Sequence, residues 1–157
     1  MKRKLWLMLA LVLCLAIFPA CQSKSEQTAF SPELVQTLAD AGVFSEELEE
    51  LDGETAFALY RLADYQLSLE ALTDCAVLRS SGATCEEAAV LVLDSEESAQ
   101  QAEQALRDYL DNQIAANQDY RPADIPKLEN ALVEQRANSV VMVVANDWES
   151  AAATLNK

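Results

Sequence analysis

The chain has 157 residues with a formal net charge of −15, and it contains no histidine. The lack of histidine excludes Ser-His-Asp and Cys-His nucleophile arrangements and the usual histidine-containing zinc, copper and iron sites, whereas a carboxylate-only site remains open. The strong negative charge repels nucleic acid at moderate salt, so we expect no nucleic-acid partner.

The first twenty residues have the pattern of a secretory signal peptide. Met1-Lys2-Arg3-Lys4 is a positive cluster, and the run from Leu5 to Phe18 contains no charged residue. This run is shorter than the roughly 20 residues that a membrane-spanning helix needs, which makes a permanent transmembrane anchor the weaker interpretation. We expect residues 1–20 to be removed on export.

The end of the apolar run resembles the cleavage site of a bacterial lipoprotein. Ala20 places a small residue directly before Cys21, although Phe18 and Pro19 depart from the consensus, which has Leu three positions before the cysteine. The alternative for Cys21 is a free or disulfide-bonded thiol after an ordinary signal peptide. We expect lipidation of Cys21, because it lies at the border of the apolar run. Two or three acyl chains such as palmitate would then give stable anchoring. This predicts a lipoprotein on the extracytoplasmic face of the cell membrane.

Residues 21–30 then form a lipidated tether, and residues 31–157 form a single domain with one core. Three of the eleven basic residues and no acidic residue lie in residues 1–20, so the mature chain carries a formal net charge of −18. The simplest role of that charge is to keep the surface soluble.

A helical segment is predicted to lead the domain. Ser31-Pro32-Glu33 has the composition of a helix start, and Gly42 is a natural end. A second helix is predicted over residues 45–51, and a third over residues 54–62. Their inward side chains are expected to be Leu48 and Leu51 in the second helix, and Phe57, Tyr60 and Ala63 in the third.

The densest acidic stretch, residues 46–54, lacks the ligand spacing of a calcium loop. We interpret it as a solvated helix face. The chain has only three glycines, Gly42, Gly53 and Gly82, and these form no phosphate-binding loop. We therefore expect neither a metal nor a cofactor.

Two β-hairpins are predicted, each followed by a helix. The first runs from Leu72 through the turn Ser80-Ser81-Gly82 to the apolar run 88–93, whose strand is buried on both faces. The second joins residues 132–136 to residues 140–145 through Ala137-Asn138, with Asn138 in the left-handed conformation. Capping boxes at Asp94/Glu97 and Asn146/Glu149 start helices that end near Asn117 and Leu155. The inward stripe of the longer helix is Ala99, Ala102, Leu106, Tyr109, Leu110 and Ile114.

These elements predict an α+β fold, with a mainly antiparallel four-stranded sheet packed by helices in the order β-β-α-β-β-α after the helical lead. Residues 90–99, VLVLDSEESA, align with residues 142–151, MVVANDWESA. Two hairpin–helix units related by duplication would produce this likeness, and so would convergence.

Cys75 and Cys85 flank the first predicted turn. Outside the cytoplasm they could form a disulfide. A turn centred on Ser81-Gly82 places Cys75 opposite Ala88, and only a turn one or two residues earlier aligns the two cysteines. A disulfide and two buried thiols both remain open, and neither cysteine has a base nearby in the sequence.

Three segments together resemble a domain of unknown function that is common in membrane lipoproteins of low-GC, largely anaerobic Gram-positive bacteria. They are Gly82 to Val90, Tyr120-Arg121-Pro122, and Lys127 to Ala131, within residues 51–155. The resemblance implies a lipoprotein anchor and an extracytoplasmic domain, but no activity. Cys85 and Ala89 depart from it.

Glu87 and Tyr120 are the two positions of interest within the resembling segments. Their simplest roles are a strand-edge acid and a core-edge tyrosine with a satisfied hydroxyl group.

We expect a non-catalytic interaction module, held at the membrane by lipid on Cys21, that binds an envelope protein, a peptide or a wall polymer. One alternative is a small solute-binding or sensory accessory lipoprotein, which requires a cavity bordered by Trp148, Tyr109, Tyr120 or Phe57. A more remote alternative is a hydrolase that uses carboxylates alone, which requires two acidic side chains across a cleft.

Overall fold

A five-stranded antiparallel sheet lies at the centre of the computed structural model, which describes residues 28–157. The predicted signal peptide and Cys21 lie outside the described residues. The strand order is β1-β2-β3-β5-β4. The strands are β1 (Glu49–Leu51), β2 (Leu72–Arg79), β3 (Glu87–Leu93), β4 (Leu132–Arg136) and β5 (Ser139–Val144).

The two central strands, β3 and β5, are the apolar runs of the sequence. They pair with each other from Glu87↔Val144 to Val92↔Ser139, and nearly all of their residues are buried. This confirms both hairpins, β2–β3 and β4–β5, and the prediction of a first-hairpin strand buried on both faces. The α+β class is confirmed as well, although the sheet has five strands rather than four.

Helices cover both faces of the sheet. One face packs against α2 (Gly53–Leu59), two short 3-10 turns (Leu62–Tyr65 and Leu69–Ala71), α3 (Glu96–Asn117) and α4 (Ile125–Glu129). The other face packs against α1 (Glu33–Asp40) and α5 (Trp148–Leu155). Successive strand residues alternate between the two layers: Leu91 and Met142 face α3, whereas Val90 and Val141 face α1 and α5. Within residues 28–157, no helix is long and apolar enough to cross a membrane.

The prediction of a helix over residues 45–51 is wrong. Residues 49–51 form the edge strand β1, in which Glu49 pairs with Arg79 and Leu51 pairs with Val77. Most of the acidic stretch, up to residue 52, is therefore not a helix face, because hydrogen bonding to the exposed edge of β2 outweighs its local helical propensity.

The third predicted helix, α2, ends at Leu59. Arg61 adopts a left-handed conformation with φ of 54° and terminates it. As a result Leu62 is buried and Ala63, which was expected to point inward, is exposed.

Both predicted capping boxes lie one residue too early. Ser95 caps α3 by accepting a hydrogen bond from the Ser98 backbone N–H, at 3.1 Å. Asp147 caps α5 in the same way, with 2.9 Å to the Ser150 N–H. In the second hairpin Ala137, not Asn138, has the positive φ. The Asn138 side chain instead donates to the Leu93 carbonyl oxygen at 2.7 Å.

The first hairpin has a longer connection than predicted. Its pairing starts at Arg79↔Glu87, so residues 80–86 form the loop and Cys75 lies opposite Leu91. Cys75 and Cys85 are both free, partly buried thiols.

Phe30 extends the core beyond the expected domain start at residue 31. Its side chain is only 7% exposed and packs with Val35, Leu38 and the α5 layer. Its backbone N–H donates to Ser139 Oγ at 2.7 Å, and the Arg136 guanidinium lies 4.3 Å from its ring centroid. The folded domain therefore includes Phe30.

We expect a chain lacking residues 1–27 to unfold cooperatively, because the described core remains complete. Extending the deletion through Phe30 should lower the free energy of unfolding by about 3 kcal/mol, since a large aromatic side chain leaves the core. Urea denaturation of the two truncated chains measures the difference. Equal stabilities would show that Phe30 does not belong to the core.

Candidate functional site

A polar cleft of about 350 Å³ lies where the β2–β3 hairpin meets the C-terminal half of α3. The loop of residues 80–86 forms one wall, the start of β1 forms another, and α3 closes the third side. The side chains that give the cleft its chemistry are Glu49, Arg79, Ser81, Cys85, Glu87, Gln113, Asn117 and Arg121.

The loop is held in place from both sides. Glu46 accepts hydrogen bonds from the hydroxyl groups of Ser80 and Thr84, each at 2.6 Å, and these bonds lower the pKa of Glu46. On the other side the Arg121 guanidinium donates to the carbonyl oxygens of Thr84 (3.0 Å) and Gly82 (2.5 Å). Gly82 has φ of +122°, a conformation that a side chain would strain.

The first of two adjacent buried acids, Glu86, secures the base of the loop and is fully buried. Lys127 Nζ and the Ser45 hydroxyl both donate to its Oε1 at 2.5 Å, and the Ser45 N–H donates to Oε2 at 2.7 Å. Burial opposes the charge on Lys127, but hydrogen bonds to Glu86 and Asp124 prevail and raise the pKa of Lys127. Glu86 and Lys127 therefore form a buried, charge-assisted hydrogen bond that links the loop to α4.

The second buried acid, Glu87, lies between α2, α3 and β2 and is 3% exposed. Tyr60 Oη donates to its Oε1 at 2.5 Å, and Tyr109 Oη donates to its Oε2 at 2.8 Å. Arg79 Nε donates to the same Oε2 at 3.1 Å. The two tyrosine rings meet edge to face, with centroids 5.1 Å apart.

Burial controls the protonation of this group. It raises the pKa of Glu87, and the hydrogen bonds from Tyr60, Tyr109 and Arg79 offset only part of that effect. Burial, followed by the negative charge of Glu87, also raises the pKa of both tyrosines well above 10. Both hydroxyl groups therefore stay protonated and donate to Glu87. Glu87, fixed by these bonds, in turn orients Arg79.

The outer surface of the cleft combines guanidinium and amide groups with the carboxylate of Glu49. The Arg79 side chain remains 38% exposed, while Arg121, Gln113 and Asn117 line the opposite wall. Cys85 also lines the cleft, but burial raises the pKa of its thiol and keeps it protonated. Among residues 28–157 no group of three or more Cys, Asp or Glu side chains is arranged to hold a metal ion. The arrangement is suited to binding hydrogen-bond acceptors.

The structure separates the two positions of interest. Glu87 is a fully bonded core acid rather than a strand-edge acid. Tyr120 is 77% exposed rather than at the edge of the core, and its ring centroid lies 5.4 Å from the Arg121 guanidinium carbon.

Of the four aromatic residues considered as possible borders of a ligand cavity, Tyr109 lines one. Tyr109 lines a neighbouring cavity of about 450 Å³ with Tyr60, Tyr65 and Asp108. Trp148 belongs to α5, on the opposite face of the sheet.

Arg79 and Arg121 were not predicted from the sequence as members of the site. Arg121 bonds to a loop 37 to 39 residues away in the chain, and Arg79 meets Glu87 only through the register of the β2–β3 pairing. The one local signal was the pair Glu86-Glu87 directly before a buried strand, because two acids at that point require buried partners.

We expect the stability difference between wild type and Glu87→Gln to depend on pH. Because the folded-state pKa of Glu87 is raised, protonation of Glu87 stabilises the fold. This contribution is complete at pH values below the unfolded-state pKa of Glu, and it is lost as pH rises through the folded-state pKa. Glutamine mimics the protonated acid at every pH. The advantage of wild type should therefore be larger near pH 4 than at pH 7.

Urea denaturation of both proteins at several pH values measures this dependence. The carboxyl groups with lowered pKa, Glu46, Asp52, Glu70 and Asp147, lose their contribution on acidification in both proteins, so their effect cancels in the difference. A difference that grows with rising pH would contradict the prediction.

Comparison with known proteins identifies the family of the chain. No curated protein and no solved structure matches the chain. A family model described as a domain of unknown function, DUF4358, matches residues 49–145, from β1 to the residue after β5, and so includes every strand and the whole cleft. Because the match spans well over half of the chain, the protein belongs to the DUF4358 family.

Proposed function

We propose that this protein is an exported lipoprotein, anchored by lipid on Cys21 to the extracytoplasmic face of the membrane. Its domain acts as a non-catalytic module that binds an envelope protein, a peptide or a wall polymer through the polar cleft. The positive cluster, the apolar run and the Ala20-Cys21 junction support the location.

One observation carries the binding role: the polar side chains around the cleft are fixed by internal partners before any ligand arrives. Glu87 holds Arg79, the carbonyl oxygens of the loop hold Arg121, and Glu46 holds the loop hydroxyl groups. Binding then requires little further ordering of side chains, and this favours affinity.

The arrangement favours binding over hydrolysis. Both buried acids of the site, Glu86 and Glu87, have oxygen atoms that already accept hydrogen bonds from protein groups. A general acid or base must instead reach a substrate proton within hydrogen-bond distance. The cleft therefore offers fixed donors to a ligand, and its buried carboxylates serve the scaffold.

A photo-reactive amino acid at Ser81, an exposed loop residue that lines the cleft, should form adducts with envelope components in living cells. The same probe at Asp111, an exposed residue elsewhere on α3, is the matched control and should form none of these adducts. Arg79→Gln should abolish the Ser81 adducts. Identical adducts from both positions would argue against a binding cleft.

Cys21→Ser should abolish incorporation of a fatty-acid analogue during metabolic labelling, because the thiol is the acyl acceptor. Cys14→Ser, within the predicted signal peptide, should leave the label unchanged and serves as the control. Undiminished labelling of the Cys21→Ser protein would disprove the lipoprotein assignment.

A further inference from the structure

We infer that the cleft binds the free C-terminal carboxylate of a peptide, with Arg79 as its anchor. The inference rests on the binding role proposed above and adds the chemical class of the ligand. It is carried by the way in which the interior of the protein positions two guanidinium groups around one small cleft.

Arg79 is oriented from behind by a carboxylate that cannot serve the ligand. Its Nε donates to Glu87 Oε2 at 3.1 Å, and Glu87 is 3% exposed and also accepts from Tyr60 and Tyr109. The inner edge of the guanidinium therefore faces the core. The outer part of the side chain, 38% exposed, lines the cleft. A planar guanidinium fixed along one edge can bind a carboxylate through two parallel hydrogen bonds along another.

Arg121 supplies a second fixed cation to the same cleft. Its two Nη atoms donate to the carbonyl oxygens of Gly82 and Thr84, and these bonds hold the group against the loop without neutralising its charge. Only eight basic residues follow residue 20, against 26 acidic ones in the chain, and two of the eight line this cleft. The surrounding acidity repels polyanions, so the favoured ligand carries a single carboxylate rather than a row of phosphates.

The rest of the lining matches a peptide better than an isolated anion. The side-chain amides of Gln113 and Asn117 each contain a donor and an acceptor, as a peptide bond does. A volume of about 350 Å³ is near the lower limit of ligand pockets, which suits a short terminal segment. Tyr120 stands exposed beside Arg121 and offers an aromatic surface for a side chain of the peptide.

The first test uses the full chain in detergent micelles and two pools of N-acetylated tripeptides with mixed side chains. One pool ends in a free carboxylate and the other in a carboxamide. Equilibrium dialysis with mass spectrometry should show at least about tenfold greater retention of the acid pool, the equivalent of one bidentate charged pair. Equal retention of the pools, or retention of neither at millimolar concentration, would overturn the inference without any mutation.

Inorganic phosphate and N,N′-diacetylchitobiose are dialysed in parallel as probes of the two other ligand chemistries. Tighter binding of phosphate would overturn the carboxylate assignment, and preferential retention of the disaccharide would identify a glycan site instead. In both cases, adducts from Ser81 that depend on Arg79 would still support the proposed binding role. Failure of the ligand class is therefore distinguishable from failure of the proposed function.

Arg79→Lys provides the matched mutational test. Lysine keeps a positive charge beside Glu87 and so protects the fold, but it lacks the planar fork, and retention of the acid pool should fall about tenfold. Arg107→Lys removes another guanidinium that bonds to a glutamate, Glu103, and to a carbonyl oxygen, yet it lies outside the cleft and should retain the acid pool fully. Equal losses in both variants would overturn the assignment of Arg79.

Glu49→Gln tests the same geometry through a gain of binding. Glu49 lies opposite Arg79 in the β1–β2 pairing and lines the cleft, so its negative charge opposes an incoming carboxylate. Its neutralisation should strengthen retention of the acid pool about two- to fivefold, an outcome that misfolding does not produce. Weaker retention would overturn the placement of the carboxylate beside Arg79.

Discussion

The fold depends on two adjacent carboxylates that are buried at the start of its central strand. A buried acid without partners costs several kcal/mol, so Glu86 and Glu87 constrain everything that packs around them. Glu86 accepts hydrogen bonds from Ser45 and from Lys127 of α4. Glu87 accepts hydrogen bonds from Tyr60 at the end of α2, Tyr109 of α3 and Arg79 of β2. The walls of the cleft therefore meet at one point of the sheet, and the cleft is a consequence of satisfying these two acids.

The same pair explains why the register of the hairpin is strict. A slip of one residue moves every side chain of a strand to the other face of the sheet. In β3 such a slip would take Glu87 away from the two tyrosines, and it would also exchange the apolar residues of the two core layers. Buried polar groups and apolar packing thus select the same register, and that register is what leaves Arg79 beside the cleft.

Local pattern predicted most of the secondary structure, and long-range pairing accounts for the rest. Strands β2 to β5 and helices α1 and α3 follow from apolar periodicity, whereas β1 is three residues of an acidic stretch that becomes a strand only beside β2. Glu87 was expected at a strand edge because its partners Tyr60 and Tyr109 lie 27 and 22 residues away. The cleft was not predictable, because it is formed by contacts between segments whose sequences carry no shared motif.

The likeness between residues 90–99 and 142–151 takes on a structural meaning in this arrangement. Each segment ends a central strand and starts a capped helix, with Ser95 and Asp147 at equivalent positions. Because β3 and β5 are antiparallel neighbours, α3 and α5 leave opposite ends of the sheet. The two helices also cover opposite faces. The two segments are offset by 52 residues, and with this offset Glu87 corresponds to Ser139. Ser139 is buried, and its Oγ accepts a hydrogen bond from the Phe30 backbone N–H. The two units therefore share the order of their elements but neither the face that their helices cover nor their polar groups, so the likeness in sequence does not extend to the cleft.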